Sequence, residues 1–203
     1  MAICFVGRRG RFWCTDPLAR DVVRPPPNPL NQAGAPPPPT LLHAATEMAT
    51  RLREKRVAKE RHKIDKHGLP PGIELVEGDS LKEWTLDIRV LDANPIYRDQ
   101  TYRLKFLFPE SYPIEPPEVT FDEQPNRPIP MHPHIYSNGI ICLDLLGSQG
   151  WSPVQSAESV CMSIQSMLTS NSKNERPPGD AEFVRGNRQR PRDIEFLYHD
   201  NTV

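Results

Sequence analysis

Hydrophobic positions recur with two different periods along this chain. Trp84, Leu86, Ile88 and Val90 alternate with Thr85, Asp87 and Arg89. Tyr102, Leu104, Phe106 and Phe108 alternate in the same way. A period of two predicts half-buried antiparallel strands. Shorter apolar stretches, one around Ile73 to Val76 and one at Val119-Thr120-Phe121, add a strand on either side. The connections are short, which favours a meander. The prolines of Tyr112-Pro113-Ile114-Glu115-Pro116-Pro117 stiffen one of them. After Trp151-Ser152-Pro153 the period becomes helical. Ala157, Val160, Cys161, Ile164, Met167 and Leu168 fall on one face, which should pack on the sheet. Cys161 lies on that stripe and reads as an inert core thiol.

A first helix is predicted from Thr46-Glu47-Met48-Ala49 to about Lys66. Its apolar stripe is sparse, with only Leu52, Val57 and Ile64. Basic residues dominate it, among them Arg51, Arg53, Lys55, Arg56, Lys59 and Arg61. They read either as a solvated face with i,i+4 pairs or as a docking surface for an acidic protein. Gly68 and Pro70 end the helix. Residues 1–45 hold nine of the 24 prolines and show no apolar periodicity. Such a segment is expected to be extended and disordered, with polyproline II character. It is either an idle tail or a proline-rich ligand. Residues 122–141 read as a long loop, and loops of that length within a domain are usually functional. Residues 171–203 are polar and weakly patterned outside 194–198. The expected fold class is therefore α+β: a four-stranded antiparallel meander flanked by an N-terminal helix and a later core helix. The expected organisation is an extension over 1–45, a core over 46–170 and a divergent, partly flexible C-terminal segment over 171–203.

Composition narrows the classes. The chain has 203 residues, enough for one domain and a tail. A formal net charge of −1 gives no electrostatic argument for a nucleic-acid partner. No apolar run approaches the roughly 20 residues of a membrane span, so no membrane partner is expected. The stretch before Arg8, Arg9 and Arg11 is too short for a secretory leader, although an N-terminal mitochondrial address is conceivable. Cys4, Cys14, Cys142 and Cys161 show no Cys-x-x-Cys spacing and no disulfide-framework density. A reducing compartment fits them, and the expected location is the cytoplasm and nucleus.

Cys142 has the most informative surroundings. It follows His132-Pro133-His134 and a Ser137-Asn138-Gly139 turn, and Trp151-Ser152-Pro153 comes shortly after it. Those loops would bring polar groups around a thiol at the lip of a groove, which points to an enzyme that works through a thioester. A cysteine flanked by Ile141 and Leu143 would read as a buried core residue if taken alone. His132-x-His134 invites a metal reading, but no third and fourth ligand follows at a helical or knuckle spacing. No metal and no cofactor are expected.

Taken in order, these features resemble the catalytic domain of ubiquitin-conjugating enzymes over residues 47–170. The matching elements are the basic first helix, Tyr112-Pro113-x-x-Pro116-Pro117, His132-Pro133, Ser137-Asn138-Gly139-x-Ile141-Cys142-Leu143-Asp144, Trp151-Ser152-Pro153 and the apolar helix. His134, where most members have Asn, resembles the W-type branch in particular. So do Arg176-Pro177-Pro178 and the closing Tyr198-His199-Asp200. That branch is similar in attaching ubiquitin to the α-amino group of substrate N-termini.

The resemblance implies that Cys142 takes ubiquitin from the ubiquitin-activating enzyme and passes it to an amine. It also implies ubiquitin ligases and protein substrates with accessible N-termini as partners. His134 would donate to the oxyanion, support the loop or act as a base. His132 would hydrogen-bond the loop backbone, and with Asn138 and Asp144 it would support the site. Arg51, Arg53, Lys55, Ile114, Pro153 and Val154 would meet partner proteins. Two departures stand out: Ile114 replaces a common Phe, and Trp151 lies nine residues after Cys142 rather than eight. The extra residue is Gly147 or Gly150.

Amine chemistry bears on the substrate. At about pH 7.2 roughly a sixth of α-amines are neutral, against fewer than about one lysine in a thousand. A lysine-directed enzyme therefore needs an acid beside the groove. The family's acidic loop is absent here, where Thr169-Ser170-Asn171-Ser172-Lys173-Asn174-Glu175 stands. Glu175 or Asp180 are the candidate substitutes. Three alternatives remain open: a general lysine-directed conjugating enzyme, an inactive ubiquitin-binding variant and a cysteine peptidase using Cys142 with His134. Inactive variants lack the cysteine, and the peptidase reading lacks an orienting partner.

Overall fold

The computed structural model describes residues 5–6, 12–13, 41–92, 94–147 and 149–194. Most of the proline-rich extension and Tyr198-His199-Asp200 lie outside them. The chain divides into two units, Met1–Pro38 and Pro39–Val203. In the first, β1 (Phe5–Val6) pairs antiparallel with β2 (Phe12–Trp13).

The second unit opens with α1 (Leu41–His67), which starts earlier than Thr46. Leu41-Leu42-His43-Ala44-Ala45 holds strong helix formers directly after the last proline of the run, so the helix extends back to them. It ends as the sequence suggests. Gly68 has φ +74° and donates its N–H to the Ile64 carbonyl at 2.7 Å.

A four-stranded antiparallel meander follows: β3 (Ile73–Glu77), β4 (Glu83–Ile88), β5 (Tyr102–Leu107) and β6 (Glu118–Phe121), paired in chain order. Register sets Trp84 opposite Phe106 and Phe106 opposite Val119, so their side chains share the buried face. Val57 and Ile64 of α1 join that core. So do Ala157, Val160, Cys161, Ile164 and Leu168 of α2 (Ala157–Ser170), with Met167 packed at its margin. Ser156 and Ser159 form the capping box that starts α2. The fold is thus α+β, with the sheet and the two flanking helices expected from the two periods. No helix among the described residues is long and apolar enough to cross a membrane.

Three features depart from the sequence pattern. Asp87 sits on the polar register of β4 yet is buried. Arg103, its cross-strand partner, and Arg127 both donate to its carboxylate. Burial pushes the Asp87 carboxyl up, but the two guanidiniums outweigh it and hold it below the usual range. The second departure is α3 (Asp180–Gly186), a short helix in the weakly patterned C-terminal segment.

The third lies in the long loop. Ile135 pairs antiparallel with Ile141, Cys142 donates its N–H to the His134 carbonyl at 2.8 Å, and Tyr136 N–H donates to the Ile140 carbonyl at 2.9 Å. These contacts make residues 134–142 a small hairpin. Its second arm lies along β6, through a Thr120–Ile140 bridge and a Phe121 N–H bond to the Gly139 carbonyl. Gly139 has φ +85°, and a Cβ there would meet the Phe121 carbonyl oxygen at 2.0 Å. Only glycine fits that turn.

Candidate active site

The hairpin explains how a cysteine between two apolar residues stays accessible. Side chains alternate along each arm. Ile135 and Ile141 face the core, while Cys142 is half-buried and His134 is exposed. The Ile135–Ile141 register places His134 directly across from Cys142, on the same face. Tyr136 follows two residues on, on that same face. Neither Cys142 nor Cys161 is in a disulfide. Burial pushes the Cys161 thiol far up, as suits an inert core sulfur.

His132 occupies the layer below. Its Nδ1 accepts the His134 backbone N–H at 2.9 Å, and its ring also hydrogen-bonds the backbone of Met167 on α2. Nδ1 therefore carries no proton, and the neutral ring holds its proton on Nε2. Burial, aided by neighbouring His134, pushes its pKa down to about 4. The two imidazole centroids are 5.5 Å apart. Among the described residues no cluster of three or more His, Cys, Asp or Glu could hold a metal.

Asn138 and Asp144 lie on either side. Asn138 Oδ1 accepts the Ile140 N–H at 3.2 Å, bracing the hairpin turn. Asp144 is exposed and opens a 3-10 turn, Asp144–Leu146. Its carbonyl accepts the Gly147 N–H, and a Cβ on Gly150 would meet that same oxygen at 2.3 Å. Both glycines thus serve the loop that sets Trp151 one position further from Cys142.

The partner-surface residues do not all share one surface. Ile114 is 66% and Val154 82% exposed. Their loops are tied together, because Trp151 Nε1 donates to the Pro113 carbonyl at 2.8 Å. Pro153 is exposed beside Val154, and its carbonyl accepts from Arg56 of α1 at 2.8 Å. Arg51 and Lys55 are exposed on α1. Arg53 is not, at 4% exposure. It continues the buried helical stripe of Val57, Glu60 and Ile64, so it is withdrawn from the basic face.

Glu60, which the sequence did not single out, ties these parts together. One oxygen accepts from Arg56 and from the Tyr112 hydroxyl. The other accepts the Ala157 N–H, at the start of α2, at 2.9 Å. A buried carboxylate thus joins α1, the Tyr112-Pro113 loop and the helix N-terminus, where negative charge is favoured. A glutamate lying on a helical stripe with Val57 and Ile64 was the available signal.

A half-buried thiol thus sits on a glycine-turned hairpin with exposed His134 across from it. The comparisons identify the family. The model for ubiquitin-conjugating enzymes matches residues 56–197, and this chain belongs to that family. It is 39% identical over 150 residues to the probable ubiquitin-conjugating enzyme E2 W of Dictyostelium discoideum, covering 73% of this chain and 96% of that protein. It is also 39% identical over 153 residues to the ubiquitin-conjugating enzyme E2 W of Caenorhabditis elegans, covering 73% and 96%. Among solved structures, a ubiquitin conjugating enzyme E2 from Agrocybe aegerita superposes with a TM-score of 0.66 at 40% identity, over 70% of this chain and 99% of that one. The chain is a ubiquitin-conjugating enzyme. Ubiquitin, the activating enzyme and ubiquitin ligases are the partners that this family implies.

Proposed function

We propose that this enzyme carries ubiquitin on Cys142 and transfers it to the N-terminal α-amino groups of substrate proteins. The observation that carries the reading is the register that sets exposed His134 across from half-buried Cys142. In charging, the Cys142 thiolate attacks the ubiquitin thioester on the activating enzyme. A new C–S bond forms, the old one breaks, and that enzyme's cysteine leaves as thiolate. A cysteine thiolate is nucleophilic enough to do this without a strong neighbouring base. In transfer, a neutral amine attacks the same carbonyl and charge develops on its oxygen; the C–S bond then breaks, Cys142 leaves as thiolate, and the nitrogen gives up a proton to water. His134 donates to that oxygen or holds the loop that does.

The choice of amine follows from what surrounds the thiol. Glu175 is exposed and pairs with Lys173 at 3.9 Å. The Asp180 carboxylate is engaged by the Ser137 backbone N–H at 2.7 Å. Asp180 is held in that hydrogen bond and Glu175 stays in solvent, and an amine that is already partly neutral at pH 7 needs no acid beside the thiol. Likeness to proteins named E2 W supports the same reading. Substrates with accessible N-termini follow from it, with no nucleic acid or membrane required. A reducing cytoplasm or nucleus would keep Cys142 a thiol.

The test begins with charging. Cys142→Ser should form a ubiquitin ester that survives thiol reductant, and Cys142→Ala should form no adduct. The charged parent should then discharge faster to a peptide with a free α-amine than to an α-acetylated lysine peptide at pH 7. The advantage should narrow toward pH 9, as lysine gains neutral amine. Equal or faster discharge to lysine at pH 7 would leave a general lysine-directed enzyme.

A further inference from the structure

The hairpin has two arms, and they are held differently. The arm ending in Cys142 is joined to β6 through Ile140. The arm carrying His134 faces away from the sheet, and an outer arm of this kind leaves backbone groups without a strand partner. Residues 176–183, beyond α2, supply those partners. Arg176 donates from Nη1 to the carbonyls of Pro130 at 2.6 Å and Ile135 at 3.1 Å, and from Nη2 to that of Ile129 at 3.0 Å. Asp180 Oδ1 accepts the Ser137 N–H at 2.7 Å. Phe183 stacks on Tyr136 with ring centroids 3.9 Å apart and planes 27° from parallel. Pro177 is buried, anchoring the segment between these contacts.

All three contacts act on the arm that bears His134, at its start, its turn and the ring two residues along the same face. We propose that residues 176–183 form a strap that fixes this arm against Cys142, and that Asp180 and Phe183 are positioning residues for the transfer step. The proposal rests on the thioester reading above. Transfer should feel the strap more than charging does. Charging uses a nucleophile that is reactive in itself. Transfer needs donors already in place as the oxyanion develops, and small misplacements there are costly. The strap's Asp180 acts through its hydrogen bond rather than its charge, which the choice of substitution can separate.

The experiment charges the full chain with ubiquitin, quenches the activating enzyme and follows single-turnover discharge to an α-amine peptide over a range of concentrations. Asp180→Ala and Phe183→Ala should lower the saturating rate by about tenfold, with half-saturation and charging within about twofold of the parent. Asp180→Asn keeps an acceptor for the Ser137 N–H and should stay within about twofold. Phe183→Tyr keeps the stack and should do the same. Hydrogen exchange of the uncharged protein is followed in parallel, and the Ser137 amide should exchange faster in Asp180→Ala alone. Unchanged discharge in both alanine variants would overturn the proposal. So would a parallel fall of charging, discharge and folded protein, or an Asp180→Asn variant as slow as Asp180→Ala. The exchange measurement needs no ubiquitin. A parent that fails to charge would therefore sink the thioester reading, while the exchange of Ser137 still decides the strap.

Discussion

His132 is kept neutral by its surroundings, and that neutrality has a measurable cost in acid. Its pKa is about 4 in the folded chain, because burial penalises the imidazolium, and about 6.5 once unfolded. Between those values the unfolded state binds a proton that the folded state refuses. His132 therefore leaves stability intact above about pH 6.5 and subtracts from it as pH falls, at up to about 1.4 kcal/mol per pH unit, levelling below about pH 4. Urea unfolding at pH 7 and pH 5 should show this loss in the parent and a shallower loss in His132→Asn. Identical slopes would show that His132 does not set the acid sensitivity. The neighbouring side chains were legible to different degrees. Cys142 and His134 stood out by their motif. A bond from His132 to the loop backbone was expected, but its depth and its second partner, Met167 on α2, lie beyond a pattern of side chains.

At the scale of elements, α1 contributes in two separate ways. Arg51 and Lys55 are exposed, so Arg51→Glu with Lys55→Glu should change the melting temperature little, since exposed charges contribute little. If this face docks the activating enzyme, the pair should slow charging, most of all at low salt. Normal charging at low ionic strength would favour a merely solvated face. Arg53→Glu belongs to a different class, because it would place a carboxylate in a buried site. Glu60 is the helix's other contribution. Glu60→Ala strands the Tyr112 hydroxyl and the Ala157 N–H and leaves Arg56 with only its carbonyl partners. It should cost about 3 kcal/mol of stability by denaturant titration. A loss below about 1 kcal/mol would show that water replaces the carboxylate. The strands and α2 could be read from periodicity because each buries one continuous face. The hairpin could not, because its arms are a few residues long and flanked by Pro133. Nor could α3, whose sequence Asp-Ala-Glu-Phe-Val-Arg-Gly offers a single turn or two and no buried stripe.

For the whole molecule, the family match over residues 56–197 falls within the second unit, Pro39–Val203. Removing residues 1–38 should leave the melting temperature within about 2 °C, a shift that corresponds to less than about 1 kcal/mol for a domain of this size. Charging should persist at the parent rate. A larger drop would mean that the extension contributes to the fold. Proline density gave no sign of where α1 starts, which is at Leu41 rather than Thr46 because Leu41 to Ala45 prefer helix to coil. The seat of Cys142 has one more consequence. The hairpin of residues 134–142 does not merely carry Cys142. It also covers the open side of β6, the last strand of the meander. An uncovered strand edge is a template for pairing with other chains. Loosening the hairpin, as any side chain at Gly139 would do, exposes that template at the same moment that it displaces Cys142. The placing of Cys142 and resistance to aggregation are therefore guarded by the same few residues, and a copy with a disturbed hairpin marks itself as sticky.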